Sequence, residues 1–246
     1  MDFGWGWSTQ TGETTLPAAS VEYQMLGQRH RRAIADAGGV DFAVCDPIRQ
    51  FPAWKGKRHY DGSLWMASTG SSVPFESLTE RSCLMELDRN GDVEAVSSQP
   101  MWIRWADERG LSHVPDYFVR LRHGLSVVVD VKLAKHLEDS DTILKFDRTA
   151  QICAEFGWGY AVFRGNHPVR DANLRFLRRY RDPRWDAELG QYTPPSSPME
   201  LRDAVVALGG GDLGYARCYA MLWTNKLTAD FEEPLNMRTV VAPGVS

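Results

Sequence analysis

Cysteine is scarce. Cys45, Cys83, Cys153 and Cys218 are the only 4 in 246 residues, and none stands in a Cys-x-x-Cys or Cys/His zinc spacing. That excludes a zinc ribbon and a disulfide framework, and the expectation is four reduced, mostly buried thiols. Long apolar runs are lacking too, which excludes a membrane-spanning helix. The N-terminus has no basic region followed by an apolar one, so no signal peptide is read and a cytoplasmic location is expected. There is no internal repeat, no long low-complexity linker and no Ser-His-Asp array. Positive charge is not in excess: the net charge is -4, which argues against non-specific nucleic-acid binding by the whole surface. What remains, 43% hydrophobic and 24% charged, is the composition of a soluble globular protein with one large domain or two smaller ones.

The stretch with the most chemistry is His113–Ala134, HVPDYFVRLRHGLSVVVDVKLA. Two β-rich runs, Tyr117–Leu121 and Ser126–Leu133, flank Arg122-His123-Gly124 and predict a hairpin. Asp130 and Lys132 interrupt the valine run and share one strand face. The valines predict a sheet covered on both sides, where an unpaired Asp or Lys costs several kcal/mol. The turn decides whether Asp116 joins them. A two-residue loop would send Asp116 to the other face. A three-residue loop, a type I turn closed by a G1 bulge, pairs Asp116 with Asp130 and needs positive φ at its last position. Gly124 supplies it, so the second register is predicted.

Glu80 has two readings. Ser77 with Glu80 three residues on is a capping box at a helix start. Leu84 and Leu87 follow Glu80 at helical spacing, so its carboxylate also borders an apolar face and would accept a cation. Elsewhere, residues 21–37 read as a helix, 48–68 as short strands with a turn at Asp61-Gly62, and Val93–Trp105 as one strand with a bulge or edge at Gln99-Pro100. Ser140–Phe156 reads as a helix ended by Gly157, Trp158–Phe163 as a strand, and Val169–Tyr180 as a helix. From Arg164 to Arg184 seven arginines stand against Asp171 and Asp182, a balance of +5. They read as a solvated face or as phosphate contacts by Arg164, Arg170, Arg175, Arg178 and Arg179. Prolines at 194–198 mark a boundary. Beyond it, helical patterns at Met199–Leu208 and Leu213–Trp223 and a hairpin at Asp230–Val241 predict a small winged-helix-like module. The division is a loose tail over 1–20, an α/β domain over 21–184 and the module over 196–246. The module's balance is -2, and its second helix offers only Arg217 among Tyr215, Tyr219, Met221, Leu222 and Trp223. That predicts a protein-binding rather than a DNA-binding role for it.

Ser77-Leu78-Thr79-Glu80, Pro115-Asp116 and Asp130-Val131-Lys132 on an αβββαβ order resemble the PD-(D/E)XK nuclease superfamily with its restriction-endonuclease-like core. More closely, the chain resembles TnsA, the endonuclease subunit of heteromeric transposases, over roughly residues 50–240. Gln99-Pro100, Gly157-Trp158 and the stretch Trp223, Asp230, Pro234-Leu235 add to the likeness. The resemblance implies catalytic residues Glu80, Asp116, Asp130 and Lys132. It implies Mg²⁺, with Mn²⁺ able to substitute, on Glu80, Asp116, Asp130 and the carbonyl of Val131. It further implies cutting of the 5′ strands at transposon ends in double-stranded DNA, a DDE transposase subunit as partner, and contact with an AAA+ ATPase regulator. Lys132 would orient the attacking water, lower its pKa or stabilise developing charge. Two alternatives are a free-standing nuclease of restriction or defence, and an inert DNA-binding or assembly factor of the same fold.

Overall fold

The computed structural model describes residues 4–13, 15–49, 60–107, 109–182, 185 and 189–244. The chain divides into two compact units. One comprises Met1–Trp65, Ser72–Cys83 and Asp92–Gly165; the other comprises Met66–Ser71, Leu84–Gly91 and Asn166–Ser246.

The first unit opens with strands β1 (Ala19–Met25) and β2 (Gln28–Ala33). The helix expected over 21–37 is therefore corrected to a hairpin. Val21 and Tyr23 are buried at alternate positions, the period of a strand. Leu26 (φ 51°) and Gly27 (φ 75°) form the two-residue turn, a geometry whose twist suits antiparallel strands. Strands β3 (Gly62–Met66) and β4 (Ser71–Phe75) make a two-stranded ribbon. Gly62 opens β3, and the turn expected at Asp61-Gly62 falls at 67–70 instead. The expected strands within 50–59 lie outside the described residues. Helix α1 (Leu78–Arg89) follows, its first half in the first unit and its second half in the other.

The strand expected over 93–105 is two. β5 (Val93–Ser98) and β6 (Met101–Trp105) join different sheets, and the chain turns between them at Gln99, a non-glycine at φ 47°. After β7 (Ser112–His113) come β8 (Tyr117–Leu121), β9 (Ser126–Val131), α2 (Ser140–Glu155) and β10 (Gly159–Phe163). The core sheet has the order β10-β9-β8-β5. β9 and β10 are parallel, joined through α2, and the other pairs are antiparallel. Helix α1, β5, β8, β9, α2 and β10 form the αβββαβ core, with β6 and β7 diverted into a second sheet, β2-β1-β6-β7. Val21, Tyr23 and Ile103 of the second sheet, Phe118 and Val128 of the core sheet, and Ile152 of α2 share one apolar core. Full burial of each such side chain contributes about 1.5–3 kcal/mol.

The N-terminal segment read as loose is docked. Val162 donates its N–H to the Trp5 carbonyl (2.8 Å), and Gly6 bridges Ala161 on the edge strand β10. Trp7 donates from Nε1 to Asp147 Oδ1 (2.7 Å), while the N–H groups of Gln10 and Thr11 donate to Oδ2 (2.8 and 2.6 Å). Arg148 pairs with Glu13 at 3.0 Å. Trp5 and Trp7 are unusual in a tail and point to docking, but their partners lie far off in sequence and leave no local pattern that places them.

The second unit holds α3 (Pro168–Leu177) and a 3-10 turn at Arg178–Tyr180. Then come β11 (Met199–Glu200), α4 (Leu201–Ala207), α5 (Gly211–Trp223), β12 (Leu227–Ala229) and β13 (Val240–Pro243). The three strands form an antiparallel sheet, β11-β13-β12. The hairpin expected over 230–241 is thus built from β12, just before that range, and β13, which overlaps its end. Helix α3 belongs to this unit's interior. Leu174 and Leu177 are fully buried, Phe176 packs on Tyr219 of α5 (4.8 Å), and the Asn173 amide donates to the carbonyls of Phe231 (2.9 Å) and Glu233 (2.8 Å).

Candidate active site

The predicted hairpin register is the observed one. Tyr117 pairs with Val129, Phe118 with Val128, Val119 with Val127 and Arg120 with Ser126, so one further step places Asp116 opposite Asp130. Gly124 donates to the Leu121 carbonyl and Leu121 to the Leu125 carbonyl (both 2.9 Å), which closes a three-residue loop with Gly124 at φ 89°.

Asp116 ends up half-buried, its Oδ2 accepting the N–H of Val131 at 2.7 Å. Burial raises the Asp116 carboxyl well above its ordinary range, and the neighbouring charges of Asp130 and Glu80 raise it further. Like charges held close oppose ionisation. Glu80 performs the cap. Ser77 Oγ accepts the Glu80 N–H (3.1 Å), and the Glu80 carboxylate accepts from Ser77 Oγ and from the Glu76 N–H (both 2.8 Å). Burial also pushes the Glu80 carboxyl up, against those hydrogen bonds. The two readings of Glu80 coexist: it caps α1 and adds its charge to the Asp116 centre.

Asp130 is buried, at 1% exposure, and committed. His113 Nε2 lies 3.0 and 2.9 Å from its two oxygens, and the Tyr160 hydroxyl donates to Oδ2 at 2.5 Å. Tyr160 pairs with Val128 on the parallel strand, two residues from Asp130 and on its face. Burial and the Asp130 charge hold the Tyr160 phenol well above its ordinary range, so it stays a donor. Lys132 lines a groove of about 410 Å³ with Lys135, His136, Glu138 and Asp139. Hydrogen bonds from Thr142, helped by the Lys132 charge, hold the Asp139 carboxyl below its ordinary range.

In the sequence Gln99 marks only a bulge or edge and part of the family likeness, not a site residue. It is 1% exposed and held in the left-handed region. Its N–H donates to the Asp116 carbonyl (2.8 Å), and its carbonyl accepts from Ile48 (2.9 Å). Its side chain accepts from Arg49 Nε (3.0 Å) and donates to Glu76 (2.9 Å), and Arg49 reaches Glu76 at 3.3 Å. A non-glycine at positive φ persists only where surrounding contacts fix it. Here those contacts tie the β5–β6 switch to Asp116. His113, Tyr160 and Arg49 were missed as well, because single residues far apart in sequence carry no spacing signal.

A divalent cation here would draw its oxygen ligands from the carboxylates of Glu80, Asp116 and Asp130. Among the described residues no three His, Cys, Asp or Glu side chains stand ready as a metal cage. The donor chemistry nevertheless fits. Asp116 and Glu80 are carboxylates raised by burial and by like charge, a load that a cation relieves. Asp130 Oδ1 shares one hydrogen bond with His113 and retains a lone pair.

The arginines expected to bind DNA divide. Arg164 is exposed in the first unit. Arg170 is bound up with Glu86 (2.5 and 3.0 Å) and with Glu232 (3.8 Å). Arg175, Arg178 and Arg179 line a groove of about 570 Å³ with Arg181. On α5, Arg217 is buried, donates to the Leu208 carbonyl (3.0 Å) and stacks 3.9 Å from the Tyr192 ring. Met221, Leu222 and Trp223 are core, which leaves Leu213 and Tyr215 as the exposed apolar side chains of that helix.

Residues 90–165 match the family described as TnsA-like endonuclease N terminal. That match supports a TnsA-like endonuclease N-terminal domain within this chain. The matched stretch spans β5 to β10 and includes Gln99, His113, Asp116, Asp130, Lys132 and Tyr160. No curated protein matches the chain. The TnsA-like domain supports nuclease activity and implies a DNA substrate and a transposase partner. Nucleases of this type generally use divalent metals. Among the described residues no helix is long and apolar enough to cross a membrane.

Proposed function

We propose that this protein is a Mg²⁺-dependent DNA endonuclease that cuts the 5′ strands at transposon ends, beside a DDE transposase subunit that joins the 3′ ends. The observation that carries the reading is the pairing of Asp116 with Asp130 beside Glu80, with Lys132 just past the end of the strand that holds Asp130. Glu80, Asp116 and Asp130 would hold the cation, with the Val131 carbonyl as a further oxygen ligand. When bound, the cation would polarise the phosphoryl oxygens of the scissile bond. His113 and Tyr160 fix the Asp130 carboxylate, as outer partners commonly do for metal ligands. Lys132 would bring an ammonium to the reacting phosphate.

The second unit has the order helix, strand, two helices, two strands, which supports the winged-helix reading with α3 as its first helix. Its α5 offers DNA no exposed arginine, since Arg217 is internal. We assign DNA contact in this unit to Arg175, Arg178 and Arg179, and contact with an AAA+ ATPase regulator to the exposed Leu213 and Tyr215. The occupied oxygens of Asp130 favour one competing reading, an inert assembly factor. The deciding experiment is nicking of transposon-end DNA with Mg²⁺, with and without the candidate transposase subunit. Strand-specific 5′ nicking supports the nuclease reading, and none under either condition supports the inert one.

A further inference from the structure

Beyond the arginines of the second unit, the first unit carries a basic face of its own. β2 reads Gln28-Arg29-His30-Arg31-Arg32-Ala33 and is exposed along most of its length. Arg29 and Arg31 point to one face of the second sheet, being two residues apart. Arg104 joins that face from β6, opposite Ser20, while Arg31 lies opposite Glu22. Arg31, Arg32 and Arg104 line a common groove of about 490 Å³. Arg104 is held in place by Trp102, its guanidinium 3.8 Å from the ring.

The acids nearby do not cancel this charge. Glu22 lies 3.2 Å from Arg104 and 3.9 Å from Arg31. Asp46 accepts from the hairpin's Gly27 at 3.1 Å. No described carboxylate is within ion-pair distance of Arg29 or Arg32. Arginines on an edge strand have an ordinary explanation, since charge there blocks edge-to-edge pairing. That explanation does not reach Arg104, because β6 is an interior strand of its sheet. Nor does it account for where the face leads. Arg29 donates to the Ile48 carbonyl (2.8 Å), and Ile48 donates to Gln99 (2.9 Å). Arg49, next in the chain, donates to the Gln99 side chain, and Gln99 donates to the Asp116 carbonyl. A chain of contacts through the buried Ile48 and Gln99 therefore links Arg29 to the carboxylate centre.

We propose that this face is a phosphate-binding track for duplex DNA, with Arg31 and Arg104 in the groove, Arg32 lining it from the other face of the edge strand, and Arg29 and Arg49 leading to the cleavage centre. The assignment of DNA as ligand rests on the nuclease reading above. Phosphate contacts supply much of a protein's DNA affinity and make it salt-dependent.

The test uses the full chain and a labelled duplex oligonucleotide, without divalent ions, over about 50 to 200 mM salt. Arg31→Ala with Arg32→Ala should flatten the plot of log affinity against log salt by about 1.8, at 0.9 per lost phosphate contact, and weaken binding at least about tenfold at 100 mM. Arg31→Lys with Arg32→Lys should keep the wild-type slope, because the slope counts charges. Should the double alanine variant fold poorly, Arg31→Gln alone should flatten the slope by about 0.9. A wild-type slope and affinity in the folded alanine variant overturn the track; nicking by the wild-type chain would then still stand. A flattened slope from a chain that nicks nothing supports the track and removes the nuclease reading. Unchanged DNA binding with lost capture of the transposase subunit would assign the face to protein and overturn the proposal.

Discussion

Asp116 sits beside two other carboxylates, and its own is raised well above its ordinary range by burial, Asp130 and Glu80. A carboxyl raised in the folded state supports that state fully at pH below its unfolded value, and the support is lost as pH rises through the folded value. In the metal-free protein, Asp116→Asn should therefore raise the melting temperature at neutral pH by a few degrees, about what 1 kcal/mol gives in a domain of this size. The gain should vanish in acid. Thermal melts with a chelator across pH give the answer, and equal melting temperatures at pH 7 would contradict the arrangement. Tyr160→Phe removes one hydrogen bond from Asp130 with little change of shape. It should weaken divalent-metal binding about 10- to 100-fold, which calorimetric titration measures directly. At this scale the sequence was informative only where residues are close in the chain. Asp116 and Asp130 share one hairpin, so their partnership could be reasoned out from Gly124. His113 and Tyr160 come from other strands, and no spacing announces them.

Among the elements, the β8–β9 hairpin was legible and the β1–β2 hairpin was not. The first has a valine run and a glycine at the one loop position that demands positive φ. The second turns at Leu26-Gly27 inside the stretch 21–37, which reads as a helix; only the burial of Val21 and Tyr23 reveals period two. The β5–β6 break was half legible, since Gln99-Pro100 marked an irregularity without saying that the chain changes sheets. The docked N-terminal segment gives a prediction at this scale. Burial opposes the charge of Asp147, but hydrogen bonds from Thr11, Trp7 and Gln10 outweigh it and hold the carboxyl below its ordinary range. A depressed carboxyl contributes stability above its unfolded value, lost as pH falls through the folded one. Asp147→Asn should cost roughly 2 kcal/mol at pH 7, the scale of hydrogen bonds to a charged group. The difference from wild type should shrink as pH falls below the depressed value. Urea titrations at pH 7 and in acid check both, and a pH-independent difference would mean that the charge plays no part.

At the scale of the molecule, the proline-rich stretch at 194–198 is not where contacts divide. Helix α3 packs through Leu174, Leu177 and Phe176 into the same unit as α5 and the small sheet. Proline marks a local stop, whereas the packing of α3 on α5 is set by partners some 40 residues away. Deleting residues 196–246 would thus strip α3 of its partners, and the shortened chain should lose helicity by circular dichroism beyond that of the deleted helices. Point variants are cleaner. Arg175→Ala with Arg179→Ala removes two exposed groove charges and should weaken DNA binding and flatten its salt dependence by about 1.8.

The central claim is that β9 supplies a metal ligand and that Lys132, the residue just after it, supplies the reacting cation of a nuclease centre. It is tested most directly by metal titration and nicking of transposon-end DNA on the same two variants, Asp116→Ala and Lys132→Ala. The account predicts that Asp116→Ala loses cleavage and binds Mg²⁺ weakly, whereas Lys132→Ala loses cleavage but binds Mg²⁺ like the wild type. Full cleavage by either variant would contradict it.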